Sequence, residues 1–410
     1  MDHLVVVGAS LAGIRAVEAA RRAGHEGAVT LVGAERHLPY DRPPLSKAFL
    51  DDTGCEPADP RFRTEEHLHD ELGVALRLGV PATSLDTGAK LIGLDDGAEL
   101  GYDALVVATG GAARTLPGSE GLSGVHALRT WDDALAVRAA LDAGARTVVV
   151  GAGFIGSEVA SAARKRGLSA TVVEALPVPL VRSVGEDMGR ACADLHRDHG
   201  TDLRCGETVD RLESAGGAVT GVRLGSGEVL PADLVVVGIG VAPCTGWLEG
   251  SGVTLHERDR GVVADATLRA ADGVYAAGDV VHFPNHLFDG EVMRLEHWTT
   301  AAEQGALAAK NALDPGAARE LGTVPYFWSD WYDSRIQFVG RPSADEIRVV
   351  SAEQGDDRFL ALYRRGDRLV GTITIDRPTQ IMKYKRLIAQ RASWAEALEF
   401  AGVAGEVSRA

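Results

Sequence analysis

Apolar residues along this chain come in short unbroken runs, each ending at a glycine-containing turn and followed by a stretch of helical period. Leu4 to Val7 form the first run, GASLAG is the turn, and IRAVEAARRAG continues as an amphipathic helix. A second run, Val29 to Val32, closes the unit, and Glu35 lies just beyond it. Runs of this kind predict buried strands, and apolar residues three and four apart predict the helix that covers them. The order returns in TVVVGAGFIGSEVASAARKRGLSATVVEA, where Glu174 ends the closing strand.

Both turns have the spacing that dinucleotide phosphates need. In the first, Gly8 permits the tight exit from the strand, Ser10 is small enough for backbone to approach a pyrophosphate, and Gly13 lets helix and strand pack closely. The second carries the full pattern, Gly151, Gly153 and Gly156. Free N–H groups at each helix start would face the phosphates. One such turn is weak evidence, whereas two in strand–turn–helix–strand–acid order imply two dinucleotides. Glu174 would accept a hydrogen bond from a ribose 2′-OH and repel a 2′-phosphate, so NADH is expected over NADPH. Ala175 and Leu176 beside it supply no cationic clamp, and Arg182 is the only nearby base.

Three further apolar runs end in small residues. YDALVVATGG reaches Thr109 and Gly110, ADLVVVGIGVAP reaches Gly238, Ile239 and Gly240, and GVYAAGDVV reaches Gly278, Asp279 and Val280. Asp279 is placed to hydrogen-bond a sugar-like polyol. A helix is predicted over EHWTTAAEQGALAAKNAL, with Thr299 or Thr300 as its N-cap.

Composition narrows the partners. At 410 residues the chain predicts two or three domains and room for a large cofactor. A net charge of -16 argues against nucleic acid. No apolar run approaches the roughly 18 residues of a membrane-spanning helix, and no basic leader precedes the first strand, so a cytoplasmic protein is expected. Cys55, Cys192, Cys205 and Cys244 are scattered without CxxC spacing, which predicts reduced thiols and no metal ligands.

GASLAG, YDRPPLSK, ATGG, GAGFIGSE, AAGDVV and EHWTTAAEQG together resemble the pyridine nucleotide-disulfide oxidoreductases, most closely their ferredoxin reductase branch. The resemblance implies an α/β fold with two Rossmann-like dinucleotide-binding domains and a C-terminal α+β domain. Residues 1–112 and 243–320 would bind FAD, 113–242 NAD, and 321–410 would form the C-terminal domain. It implies FAD contacts from Gly8, Ser10, Leu11, Ala12, Gly13, Glu35, Arg42, Lys47, Ala82, Thr109, Gly110, Asp279, Val280, His297 and Trp298. NAD contacts would come from Gly151, Gly153, Phe154, Ile155, Gly156, Glu158, Glu174, Gly238, Ile239 and Gly240. Hydride transfer would rest on Phe154 as an aromatic gate, Lys47 and Glu158 paired near flavin N5, and Trp298 at a helix start whose positive end faces the reduced flavin.

Where the electrons go is read from a missing residue. The family's disulfide reductases carry CxxxxC, and its NADH oxidases one cysteine, in the segment that here reads YDRPPLSKAFL and has none. Cys55 lies beyond that segment in a polar turn. Electrons would then leave one at a time to a 2Fe-2S ferredoxin that feeds a cytochrome-type monooxygenase or a Rieske oxygenase. The alternatives are a rubredoxin reductase, an NADH oxidase-like flavoenzyme, and an apoptosis-factor-like flavoprotein. The acid-free stretch with Arg377, Lys383, Lys385, Arg386 and Arg391 is the candidate docking patch, or simply a solvated helix face. Arg294 and Arg335 are further docking candidates, and Trp298, Trp328 and Trp331 belong to an exit path or to the core. Monomer and homodimer both remain open.

Overall fold

The computed structural model describes residues 1–51, 57–351 and 359–403. Cys55 lies outside them. The chain forms two compact units, one from Met1–Asp41, Asp59–Ala112 and Val241–Pro325, the other from Arg42–Ala58, Ala113–Gly240 and Tyr326–Ala410.

In the first unit, strand His3–Val7 sits at the centre of a six-stranded sheet. Its neighbours are Ala28–Gly33 on one side and Ala104–Val107 on the other, both parallel. Val74–Leu78 and Val274–Ala276 extend the parallel part, and Arg269–Ala271 adds an antiparallel edge. The unbroken apolar runs are explained by this arrangement, since each central strand is covered on both faces. One face packs Leu4, Val6 and Leu31 with Ile14's helix neighbours Ala16 and Val17 and with Ala308. The other packs Val5, Val7 and Leu105 with Ile92 and Val262.

The second unit repeats the device. Its five-stranded sheet runs Asp202–Cys205, Ala170–Glu174, Thr147–Val150, Leu234–Val237, Val125–His126, with every pairing parallel. The same unit contains a five-stranded antiparallel sheet in the order Tyr326–Trp331, Ser334–Gly340, Arg368–Ile375, Phe359–Arg365, Glu346–Ser351. Helices Pro378–Ala389 and Trp394–Phe400 follow it. Trp331 is wholly buried there among Phe338, Tyr363 and Ile373, which assigns it to the core.

The α/β class, the parallel sheets and the C-terminal antiparallel sheet agree with the sequence reading. One detail differs: the N-cap expected at Thr299 or Thr300 is His297, and the helix runs from Trp298 to Leu313. The Trp298 indole N–H donates to Asp41 Oδ1 at 2.7 Å. His297, in extended backbone, places the N-cap two residues before Thr299 and three before Thr300, so the hydroxyl preference at caps does not set this start. Among the described residues no helix is long and apolar enough to cross a membrane.

Candidate active site

The first glycine turn joins strand His3–Val7 to helix Leu11–Arg22. Gly8 has φ +123°, and a Cβ there would lie 2.0 Å from the Ala108 carbonyl oxygen. A Cβ on Gly13 would lie 1.9 Å from the Gly8 carbonyl oxygen. Both glycines are therefore required by the backbone itself. Ser10 takes the N-cap position in extended conformation, and the first helical turn contains no acid. The positive end of the helix is thus left for an anion. Leu11 and Ala12 point into the core, so whatever they give a ligand comes from backbone N–H.

The second turn shows the same logic. Gly151 has φ +101°, and Cβ atoms on Gly151 and Gly156 would come within 2.4 Å and 2.1 Å of backbone oxygens. At Gly153 a Cβ would meet only the Gly238 oxygen, at 3.7 Å, an ordinary contact. The middle position is free of steric demand from the protein, and what it leaves is room for an approaching group. This explains why serine is acceptable at the matching position of the first turn. The helix that follows, Phe154–Lys165, also has no acid in its first turn. The backbone of both turns fits dinucleotide pyrophosphate.

The two acids behind the turns are held in place. Glu35 accepts a hydrogen bond from the Tyr40 hydroxyl. Glu174 accepts from the Ala152 N–H at 2.7 Å and from the Leu176 N–H at 2.8 Å, one bond to each oxygen. A carboxylate has about four acceptor sites, so Glu174 retains capacity for two ribose hydroxyls while its position is fixed against the second glycine turn.

Lys47 and Glu158 are brought together. Lys47 Nζ lies 2.7 Å from Glu158 Oε1. Ser329 donates to the same oxygen at 2.5 Å, and Ser46 donates to Oε2. The Asp330 N–H approaches Oε1 at 3.4 Å. With its side chain 1% exposed, Glu158 is occupied as a holder of Lys47, which is itself 17% exposed. The helix bearing Glu158 is fixed from below. Ser161 accepts from the Tyr332 N–H at 2.5 Å, and His196 shares hydrogen bonds with Ser157 at 3.1 Å and Tyr332 at 2.6 Å. Burial pushes the His196 imidazole down to about 4, so it is neutral.

The other expected residues are less uniform. Phe154 is half-buried, with its ring 4.6 Å from that of Phe327, and neighbouring Ile155 is exposed. Arg42 donates to the Arg129 carbonyl at 2.5 Å and groups with the second unit. Thr109 donates to the Cys244 carbonyl at 2.7 Å. Half-buried Ala82 begins a small-sheet strand, Gly110 has positive φ, and Val280 is fully buried. Asp279 offers its backbone oxygen to Arg294 at 2.9 Å. Burial pushes the His297 imidazole down to about 4. Gly238 is half-buried, while Ile239 and Gly240 are exposed. Sequence reasoning missed Ser46, Ser329, Tyr40 and Asp41. Tyr40, Asp41 and Ser46 stood inside the YDRPPLSK segment, but nothing in the sequence marked Ser329 as a partner of Glu158.

Lys383, Arg386 and Arg391 are exposed, and Lys385 lies with Nζ 5.8 Å from the Tyr326 ring centroid. Arg294 and Arg335 are paired with acids, Asp259 and Glu296 for the first and Asp330 for the second. Trp328 is half-buried with its ring stacked on Tyr326.

Known proteins share this architecture throughout. Residues 2–305 match the pyridine nucleotide-disulphide oxidoreductase model, and residues 326–401 the reductase C-terminal model. Rhodocoxin reductase of Rhodococcus erythropolis is 35% identical over 94% of this chain and 89% of its own. The ferredoxin–NAD(+) reductase component of the anthranilate 1,2-dioxygenase system of Burkholderia cepacia is 38% identical over 95% of each chain. Among solved structures, the covalent putidaredoxin reductase–putidaredoxin complex superposes with a TM-score of 0.88 at 32% identity, over 95% of this chain and 93% of that one. With two glycine turns, two acids and the family match spanning most of its length, the chain belongs to the pyridine nucleotide-disulphide oxidoreductase family.

Proposed function

We propose that the protein is an NADH-dependent ferredoxin reductase that binds FAD and passes electrons singly to a 2Fe-2S ferredoxin serving a monooxygenase or a Rieske oxygenase. The observation that carries this is the cysteine-free YDRPPLSKAFL segment in a chain that otherwise has the family's motifs. With no thiol there, a disulfide relay is absent from the route. Relatives named as ferredoxin–NAD(+) reductases of dioxygenase systems, matched over nearly their whole length, support the same acceptor.

FAD, when bound, supplies the conversion between a two-electron donor and one-electron acceptors. The balance is one NADH and two oxidised ferredoxins giving NAD+, one proton and two reduced ferredoxins. The chain's own residues do the rest. Gly8 to Gly13 and Gly151 to Gly156 present backbone N–H groups to the two pyrophosphates. Glu35 and Glu174 accept from ribose hydroxyls. Glu158 holds Lys47 in place for the hydride-transfer step, and Phe154 gates it. Helix Trp298–Leu313 has no acid in its first turn, and its positive end would stabilise the charge that reduction of the flavin creates. The protein is assigned to the cytoplasm, and its acceptor docks transiently on the basic face of helix Pro378–Ala389.

The test compares acceptors under NADH. A ferredoxin reductase turns over rapidly with two-iron ferredoxin and slowly with oxygen. Faster oxygen consumption would favour an oxidase, and slow turnover with every acceptor would favour a flavoprotein signal.

A further inference from the structure

We infer that His256, Asp259 and His282, in the first unit, form a binding site for a divalent transition-metal ion of the imidazole-preferring kind. One ligand atom from each residue lies within 4.8 Å of the others. His256 Nδ1 is 3.1 Å from Asp259 Oδ1, and His282 Nε2 is 2.9 Å from that oxygen. The two imidazole rings stack with centroids 4.2 Å apart and planes 15° from parallel.

The three residues are held by the fold. His256 and Asp259 share a loop closed by the His256 N–H on the Gly261 carbonyl at 2.8 Å and the Arg260 N–H on the His256 carbonyl at 2.9 Å. His282 lies on strand Val281–Asn285, in register with Val263 on one side and Arg294 on the other. Gly261 makes the approach possible, because a Cβ there would lie 2.8 Å and 3.0 Å from His282 ring atoms.

Asp259 is oriented from outside the cluster. Its Oδ1 accepts from the Gly261 N–H at 3.1 Å, and its Oδ2 accepts from Arg294 Nε at 2.8 Å. Outer contacts of this sort fix a ligating carboxylate and its direction. The guanidinium adds positive charge near the site, but it is itself paired with Glu296 at 2.8 Å.

The donor set selects the ion. Calcium and magnesium take several oxygens, and one carboxylate already shared with an arginine does not provide them. Two imidazoles and a carboxylate are the ligands of zinc, nickel or copper, with a remaining position for water. Solvent reaches the cluster, since the side chains of His256, Asp259 and His282 are 35%, 25% and 10% exposed. The cysteine spacing had predicted no metal ligands, and this group lies outside that reasoning because its members come from a loop and a separate strand.

The test is calorimetric titration of zinc chloride into the FAD-loaded full chain without an affinity tag. The expected result is one saturable zinc equivalent, with affinity lowered at least about tenfold in both His256→Ala and His282→Ala. His256→Ala leaves the Arg294–Asp259 pair in place and so retains the fold, which a thermal melt checks. His69→Ala, at an exposed histidine beside Asp70, should bind zinc as the parent does. No saturable binding by the parent would overturn the proposal. So would unchanged affinity in both cluster variants, or a loss confined to His69→Ala.

Discussion

Lys47 Nζ and Glu158 Oε1 are 2.7 Å apart, and the carboxylate behind that contact is 1% exposed. Ser46 and Ser329 complete its hydrogen bonds. A buried pair adds little net stability, yet removing one member strands the other, which costs about 3–5 kcal/mol. Lys47→Ala should therefore lower the melting midpoint and slow flavin reduction by NADH at least about tenfold. Glu158→Gln retains hydrogen bonding to the serines and should melt closer to the parent while still slowing reduction. Stopped-flow flavin absorbance with a parallel melt measures both, and unchanged hydride transfer in Lys47→Ala would remove the pair from the mechanism.

Glu174 sets the nicotinamide cofactor in this account. Its contacts with Ala152 and Leu176 keep it against the glycine turn, where a 2′-phosphate would meet negative charge. NADH should reduce the flavin at least about tenfold faster than NADPH, a difference of about 1.4 kcal/mol. Glu174→Ala should narrow that ratio mainly by slowing NADH. Equal rates for the two donors in the parent would contradict the assignment.

On helix Pro378–Ala389, Lys383 and Arg386 are three residues apart and exposed, while Ile381, Tyr384 and Ile388 are buried. Residues at that spacing share a face. Reversing both charges to Glu should raise KM for ferredoxin and flatten its salt dependence, and leave ferricyanide reduction unchanged. An unaltered KM would move docking elsewhere.

His196 couples stability to pH. Burial lowers it from an ordinary value of 6.5 to about 4 in the folded chain. Between those values the unfolded chain binds the extra proton, so acidification favours unfolding. Stability is undiminished above the ordinary value and falls as pH drops, by on the order of 3 kcal/mol once both forms are charged. The melting midpoint should decline across this window, and His196→Asn should make the decline shallower. An identical slope in the variant would show that other groups carry the effect.

Much of this was legible because local chemistry dictated it. The tight turns at Gly8 and Gly151 need positive φ, which L side chains rarely adopt, and the apolar runs state which strands are covered on both faces. Glu174 could be read because it ends a strand at a set distance from its turn. The contacts that required folding could not be read. Ser329 reaches Glu158 from the antiparallel sheet, and Asp41 fixes the Trp298 indole across the first unit. The His256–Asp259–His282 group escaped for a similar reason, since only strand register places His282 against the loop.

The most direct test of the central claim is anaerobic reduction of a purified 2Fe-2S ferredoxin by limiting NADH with catalytic FAD-loaded protein. Two reduced ferredoxins per NADH are expected, with a kcat/KM that falls steeply as salt rises. NADH consumed without matching cluster reduction, or ferredoxin left oxidised while the flavin is fully reduced, would contradict it.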